Sequence, residues 1–537
     1  MSINTSVSRR NFIKAAAGTT ASASSALAGI DGILQRTKNE TSINPGYLRD
    51  IPEDVNILFI LSDQHRGDFL GNRGRQTQLK TPYLDMLAEN GIGFNRGYTA
   101  CPLCVPARPA YLTGKYPSGY GLTEREGKGK WHYRVVLDKQ YTLPEHLHKH
   151  GYHTANFGKA HLVGETEEQL FGFQEREIGF TYDNEDYRKA TSEAIVTEYL
   201  ENGSGGYGGG KEAYNTEYLA SRVDYHAHFD TIVVDRALDF MKRNKGRKWY
   251  LQVGLEKPHP TLYPPVEFIN DVDPSKVVIP ENWDQFFGDD IPARKRNKQR
   301  NNMNKGYYET YKDPETGEWS RRLRPESRGW TEKDVRNAVA AYIACINYVD
   351  HEIGRLLHGL KELGQLDKTL IVYASDHGEM CLDHGMVQKT CLQEGAINVP
   401  IILCGPGVKK TGPFDRGPAE LTDLFPTYCD YLGIETPDGL AGRSLIETLK
   451  EGKIPDKDIA YCEYFWDSNN KNQRGWERAV VSRRWKYIDN GEFEPELYDL
   501  EQDPGENKNL AFDPKYSSIL EQMREKMNKR KAECGIV

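Results

Sequence analysis

The residues able to do chemistry in this chain sit in a few short strings. Cys104-Val105-Pro106-Ala107-Arg108 sets a thiol just ahead of an expected helix start. Pro106 suits the first helical turn, where a missing N–H costs nothing. Arg108 comes one helical turn after the cysteine, so thiol and guanidinium can face one point. The free N–H groups and positive dipole end of a helix N-terminus favour an anion there. Read alone, the string is equally a buried free thiol beside a surface arginine. Two more strings, Ser62-Asp63-Gln64-His65 and Ser375-Asp376-His377-Gly378-Glu379, follow apolar runs. Acidic and amide groups past the C-terminal ends of strands stand where open α/β sheets bind ligands. In Gly158-Lys159-Ala160-His161, the lysine and histidine fall on one side of an extended segment. Alone, such a pair is ordinary solvated surface. His259, held between Pro258 and Pro260, is rigidly presented.

These strings need elements to hold them. Val55 to Leu61 is a near-continuous apolar run, as a central parallel strand should be. Tyr152 to Phe157, Trp249 to Val253, Thr369 to Tyr373 and Val399 to Leu403 read as further strands. Helices are expected at Pro82 to Asn90, Thr142 to His150 and Asp230 to Arg243. Asp334 to Leu363 carries Val335, Val339, Tyr342, Ile343, Ile346, Ile353, Leu356, Leu357 and Leu360, a helical period with one buried face.

Composition narrows the function classes. The 537 residues suffice for two domains and a large core. A net charge of −8 does not fit a nucleic-acid binder, and no apolar run is long enough to span a bilayer. Nine cysteines show neither a disulfide framework nor paired zinc-type spacing. Arg9-Arg10 followed by the Ala/Ser-rich stretch to Ala26-Leu27-Ala28 resembles a twin-arginine export signal, residues 1–28, with a polar linker over 29–50. Residues 202–210 are glycine-rich without phosphate-loop spacing and read as a surface loop. Residues 284–330 look inserted: Arg294, Lys295, Arg296, Arg321 and Arg322 are interleaved with Tyr308, Tyr311, Trp319 and Trp330. Such a set could attract a polyanion and stack on sugar rings, or be a solvated basic loop.

Taken together, the strings resemble one family. Cys104-x-Pro106-x-Arg108 with Leu112-Thr113-Gly114-Lys115 resembles the signature of the formylglycine-dependent (type I) sulfatases of the alkaline phosphatase superfamily. Gly158-Lys159-x-His161, Lys257-Pro258-His259, Ser375-Asp376-His377-Gly378 with Lys389, and Glu496-Leu497-Tyr498-Asp499-Leu500 follow in the family's order. That context displaces a redox reading of Cys101 and Cys104.

The resemblance implies an α/β fold: a large mixed, mostly parallel sheet flanked by helices over residues 51–450, then a smaller antiparallel sheet plus helix over 451–537. It implies that a maturing enzyme oxidises Cys104 to formylglycine, whose hydrate attacks sulfur. Asp63, Gln64, Asp376 and His377 are the implied metal ligands. This oxygen-rich set favours Ca²⁺, with Mg²⁺ next; Gln64 stands where many sulfatases carry aspartate. Arg108 would hold the hydrate and the carboxylates, and Asp376 would be the base. Lys159, Lys389 and His259 would bind the sulfate, with His259 or Lys389 protonating the leaving oxygen and His161 assisting turnover. The implied substrate is a sulfated oligo- or polysaccharide met in the periplasm or outside the cell. Two rivals stand beside it: a phosphonate monoester or phosphate diester hydrolase, and a non-catalytic glycan-binding protein.

Overall fold

The computed structural model describes residues 50–120, 140–162, 171–178, 211, 213–285, 291, 295, 308–312, 319–323, 329–414, 417–455, 457–467 and 474–536. The expected export signal, nearly all of the linker and the glycine-rich stretch 202–210 lie outside these residues. In chain order the strands are β1 (Asn56–Asp63), β2 (Ile92–Phe94), β3 (Gly97–Tyr98), β4 (His153–Gly158), β5 (Glu175–Ile178), β6 (Trp249–Pro258), β7 (Tyr308–Lys312) and β8 (Trp319–Leu323). They continue as β9 (Thr369–Ser375), β10 (Ile401–Cys404), β11 (Gly412–Phe414), β12 (Ala419–Glu420), β13 (Ala460–Asp467), β14 (Arg474–Val481), β15 (Trp485–Asp489) and β16 (Glu496–Asp499).

Eight of these form one sheet in the order β11-β2-β10-β9-β1-β6-β4-β5. Strand β10 alone runs against the rest. The apolar run of β1 is fully buried between β9 and β6, because both its faces are covered. Its odd positions, Ile57, Phe59 and Leu61, join the core cluster that includes Tyr111 and Tyr428. Leu58 and Ile60 are buried on the opposite face, as a two-residue repeat requires.

The principal helices are α1 (Pro82–Asn90), α2 (Cys104–Thr113), α3 (Leu143–Lys149), α4 (Phe229–Arg243), α5 (Glu332–Glu362), α6 (Leu424–Leu432) and α7 (Ser517–Glu533). A Thr331–Asp334 capping box starts α5, satisfying otherwise unpaired backbone donors. Every apolar position picked out along α5 by periodicity is buried, and the helix packs on α1, α4 and β6. Helix α2 packs on α3 and α6 and stops at Gly114, whose left-handed φ of 64° costs glycine nothing.

At the C-terminus, β13-β14-β15-β16 form an antiparallel sheet with α7 against β14 and β15. The expected α/β architecture with a smaller C-terminal sheet is therefore the one observed. Among the described residues no helix is long and apolar enough to cross a membrane.

Two residues of the region 284–330 depart from expectation, while Arg294 and Arg296 lie outside the described residues. Strands β7 and β8 pair as a hairpin, but two residues assigned to a basic-aromatic surface are buried. The Lys295 Nζ pairs with Glu496 Oε1 at 2.6 Å, with both side chains fully enclosed. Trp330 packs edge-on to Tyr214 in the core. Composition alone could not say which way these side chains turn.

Candidate active site

Strand C-termini gather the site. Ser62 of β1 is in register with Ser375 of β9, and Asp63 with Pro258 of β6 across a bulge. The residues just beyond these positions therefore converge. Strand β4 delivers Lys159 through Gly158, whose φ is 85° and whose Cβ, if it had one, would strike the Gly254 carbonyl.

Cys104 is the first residue of α2 rather than a residue ahead of it. Its Sγ lies 3.1 Å from His377 Nε2 and 3.8 Å from Asp63 Oδ1. Burial, followed by the Asp63 charge, pushes the thiol pKa up to about 12. At neutral pH this group is a protonated thiol, so it is no thiolate nucleophile as it stands.

Arg108 reaches the same point from one turn further along. Its Nε donates to Asp376 Oδ2 at 2.8 Å and its Nη2 to Asp63 Oδ2 at 3.0 Å, while Nη1 donates to the Lys159 carbonyl at 2.5 Å. All three side chains in the two ion pairs are fully buried. Burial would raise the Asp63 pKa, but Lys159, His259, Arg108 and His377 outweigh it and hold the carboxyl well below its ordinary range. Asp376 Oδ1 accepts the backbone N–H of His377 at 2.9 Å and of Gln64 at 3.2 Å.

His377 Nδ1 lies 2.9 Å from the Gly378 carbonyl. A carbonyl can only accept, so Nδ1 carries the hydrogen and Nε2 offers its lone pair to the cluster. Donor atoms of Asp63, Cys104, Asp376 and His377 lie within 4.8 Å of one another, all buried. Gln64 turns out of β1 with a left-handed φ of 71°. Its Oε1 accepts from Lys389 Nζ at 2.5 Å and its Nε2 donates to Glu379. Two carboxylates and an imidazole nitrogen suit a divalent cation, so the chemistry of this donor set fits a metal; the Gln64 amide oxygen faces the Lys389 ammonium.

The facing wall is cationic. Lys159 Nζ sits 2.8 Å from Asp63 Oδ2 and 2.7 Å from Glu256 Oε2. Burial works against its ammonium, but Asp63 and Glu256 more than offset this and raise its pKa. His259 Nδ1 donates to the Pro260 carbonyl at 2.6 Å and lies 3.4 Å from Glu256 Oε1. Burial, then Lys389 and Lys159, holds His259 well below the ordinary imidazole value. His161 is depressed in the same way, by burial and then by Lys159, Arg108 and Lys389. Its φ of 52° is left-handed, as are those of Gln388 and Thr390 on either side of Lys389. Non-glycine residues in this region store strain that only surrounding contacts can hold. Here Glu379 takes the Gln388 N–H at 2.5 Å and the Pro102 carbonyl takes the Thr390 N–H at 3.1 Å.

Thus Cys104, Arg108, Lys159, Asp63, Asp376 and His377 meet directly. Lys389 joins them through Gln64, His259 through Glu256, and His161 through their shared electrostatics. Sequence reasoning missed Glu256, Glu379 and Tyr214, whose hydroxyl donates to Glu379 Oε2 at 2.9 Å. Glu256 and Glu379 were visible inside the strings that end in His259 and begin with Ser375. Tyr214 carries no local signal.

A helix-borne cysteine thus stands over a buried carboxylate–histidine cluster that could hold a metal ion, and comparison with known proteins gives the family. The chain belongs to the sulfatase family: residues 55–434 match the family profile described as Sulfatase. Residues 382–533 match a second, described as N-sulphoglucosamine sulphohydrolase, C-terminal. An arylsulfatase of Clostridium perfringens is 28% identical over 500 residues, covering 87% of this chain and 92% of that protein. Among solved structures, the phosphonate monoester hydrolase of Agrobacterium radiobacter superposes with a TM-score of 0.68 at 23% identity, over 89% of this chain and 96% of that one. A structure bound to its substrate D-glucosamine-2-N,6-O-disulfate superposes with a TM-score of 0.65 at 21% identity, over 90% of this chain and 98% of that one.

Proposed function

We propose that this sulfatase-family hydrolase removes sulfate from a sulfated carbohydrate, using formylglycine made from Cys104 and a divalent cation. The observation that carries this reading is the position of Cys104. Its Sγ is 3.1 Å from His377 Nε2 inside a cluster whose two carboxylates are clamped by Arg108. A thiol held protonated by burial is a poor nucleophile. Its oxidation to an aldehyde hydrate would put a hydroxyl nucleophile at the same place.

Asp63, Gln64, Asp376 and His377 would hold the cation, Ca²⁺ in the first instance or Mg²⁺, which when bound supplies positive charge against the ester oxygens. Lys159 and Lys389 bind those oxygens from the facing wall. Arg108 fixes both carboxylates, so the site needs no rearrangement as charge develops. Asp63 Oδ1 is the carboxylate oxygen at 3.8 Å from Cys104 Sγ, whereas both Asp376 oxygens already accept Arg108 or backbone N–H donors. Asp63 is thus the carboxylate that hydrogen-bonds residue 104, while the cations that hold its carboxyl low weaken it as a base. His259 or Lys389 gives the proton to the leaving oxygen. An ester anion entering between Lys159 and Lys389 would offset the repulsion that keeps His259 neutral, and so raise its pKa. His161 assists release.

The carbohydrate assignment draws on the solved relative with a disulfated glucosamine as substrate. With it go maturation by a formylglycine-generating enzyme, twin-arginine export through residues 1–28, a periplasmic site of action, and division into 51–450 and 451–537. A second reading, hydrolysis of phosphonate monoesters or phosphate diesters, is favoured by the likeness to the Agrobacterium enzyme. The test is a substrate panel of sulfated oligosaccharides, choline sulfate, an aryl sulfate, a phosphate diester and a phosphonate monoester, run with and without chelator on matured protein. Chelator-sensitive sulfate release from the oligosaccharides supports the proposal. Turnover confined to the phosphorus esters overturns it.

A further inference from the structure

Glu256 is a carboxylate of the site outside the ligand cluster of Asp63, Cys104, Asp376 and His377. It is near the end of β6 and 2% exposed. Its Oε2 lies 2.7 Å from Lys159 Nζ and its Oε1 3.4 Å from His259 Nδ1. The strand end that carries it is pinned from α4. Asp230 Oδ1 accepts the Glu256 N–H at 2.6 Å, and Asp230 Oδ2 accepts the Lys257 N–H at 3.0 Å. Lys257 itself turns away and donates to the Thr261 carbonyl at 2.9 Å. Glu256 is thus fixed between the two groups that would meet the ester, Lys159 and His259.

Arg108 is shared by Asp63 and Asp376. The Lys159 ammonium is shared by Asp63 and Glu256. Lys389 meets the neutral Gln64 amide. Glu256 therefore places a second carboxylate on the Lys159 ammonium, beside that of Asp63. We propose that Glu256 is a specificity-determining residue that tunes the pocket to singly charged esters and rejects doubly charged ones.

This rests on the hydrolase reading above and adds a discrimination to it. A sulfate monoester, a phosphate diester and a phosphonate monoester each carry one negative charge at pH 8, whereas a phosphate monoester, with a second pKa near 6, carries about two. The second charge of an ester held by Lys159 would meet the Glu256 carboxylate at short range, where one unit of charge shifts affinity on the order of tenfold or more.

The test compares matured wild type, Glu256→Gln and Glu256→Asp at pH 8. The readout is the ratio of kcat/KM for p-nitrophenyl phosphate to that for p-nitrophenyl sulfate. Both esters share one leaving group and are assayed on one preparation, so partial loss of folded enzyme cancels in the ratio. The ratio should rise about tenfold in Glu256→Gln and stay within about twofold of wild type in Glu256→Asp, which keeps the charge. A ratio unmoved in Glu256→Gln, with both rates falling together, assigns Glu256 a purely structural role and overturns the proposal. So does a rise of equal size in Glu256→Asp. Should wild type hydrolyse phenyl phosphonate monoester but no sulfate ester, the sulfatase reading fails on its own, and that singly charged ester takes the place of the sulfate in the same ratio.

Discussion

The two walls of the site are built differently. On the ligand wall, Asp63 and Asp376 end or follow adjacent parallel strands, and one guanidinium from one helix turn holds both. Its backbone donors come from the same loops: His377 and Gln64 each give an N–H to Asp376. The facing wall is assembled from three separate segments that carry Lys159–His161, Glu256–His259 and Lys389. Left-handed residues at 161, 388 and 390 aim these segments, and buried carboxylates hold them. Sheet register carries the first wall and the β4 and β6 ends of the second, and side-chain ion pairs and hydrogen bonds complete the second. The ligand wall should therefore fail as a unit, and the facing wall residue by residue.

The largest effect is expected on the ligand wall. Arg108→Ala leaves two carboxylates buried without their partner, which costs about 3–5 kcal/mol of stability. It should also abolish turnover, and urea unfolding beside sulfate-release assays would show both losses together. Next comes His259→Ala, expected to lower kcat by about 10²–10⁴ with a sugar leaving group. The loss should shrink with p-nitrophenol, which departs without a proton; equal losses for both esters would remove His259 from proton transfer.

Glu379→Gln comes third. It weakens the hold on Gln64 and on the Gln388 backbone, so metal affinity measured by calorimetry should fall by about 10–100-fold. Tyr214→Phe removes one hydrogen bond to Glu379 and should cost about 1 kcal/mol, a several-fold weakening of the same affinity. The smallest effect is an absence. In unmatured protein the Cys104 pKa of about 12 leaves almost no thiolate at pH 8. Iodoacetamide should therefore leave Cys104 unlabelled in the folded protein and label it in urea; rapid labelling of the folded form would contradict the burial argument.

This contrast also explains what could be read beforehand. The ligand wall was legible because its residues are neighbours in sequence and end apolar runs: Asp63 after Phe59-Ile60-Leu61, Asp376 after Tyr373-Ala374-Ser375. Helix α5 was legible from its period. Strand β6 was read to Val253 but continues to Pro258. Its last residues, Gly254-Leu255-Glu256-Lys257-Pro258, break the apolar run, and Asp230 and the pairing of Pro258 with Asp63 help to hold that backbone. Glu256 directly precedes the Lys257-Pro258-His259 string and carried no signal of its own, because its partner Lys159 is almost a hundred residues away. The same blindness to direction placed Lys295 and Trp330 on a basic-aromatic surface, although Glu496 and Tyr214 enclose them.

The most direct test of the central claim is the rate of sulfate release by protein co-expressed with a formylglycine-generating enzyme, wild type against Cys104→Ala. The account predicts release by the wild type and a loss of at least about 10³-fold in the variant, as expected when a nucleophile is removed. Undiminished release by Cys104→Ala would contradict it. So would the absence of release from every sulfate ester by protein whose residue 104 is shown by mass to carry the aldehyde.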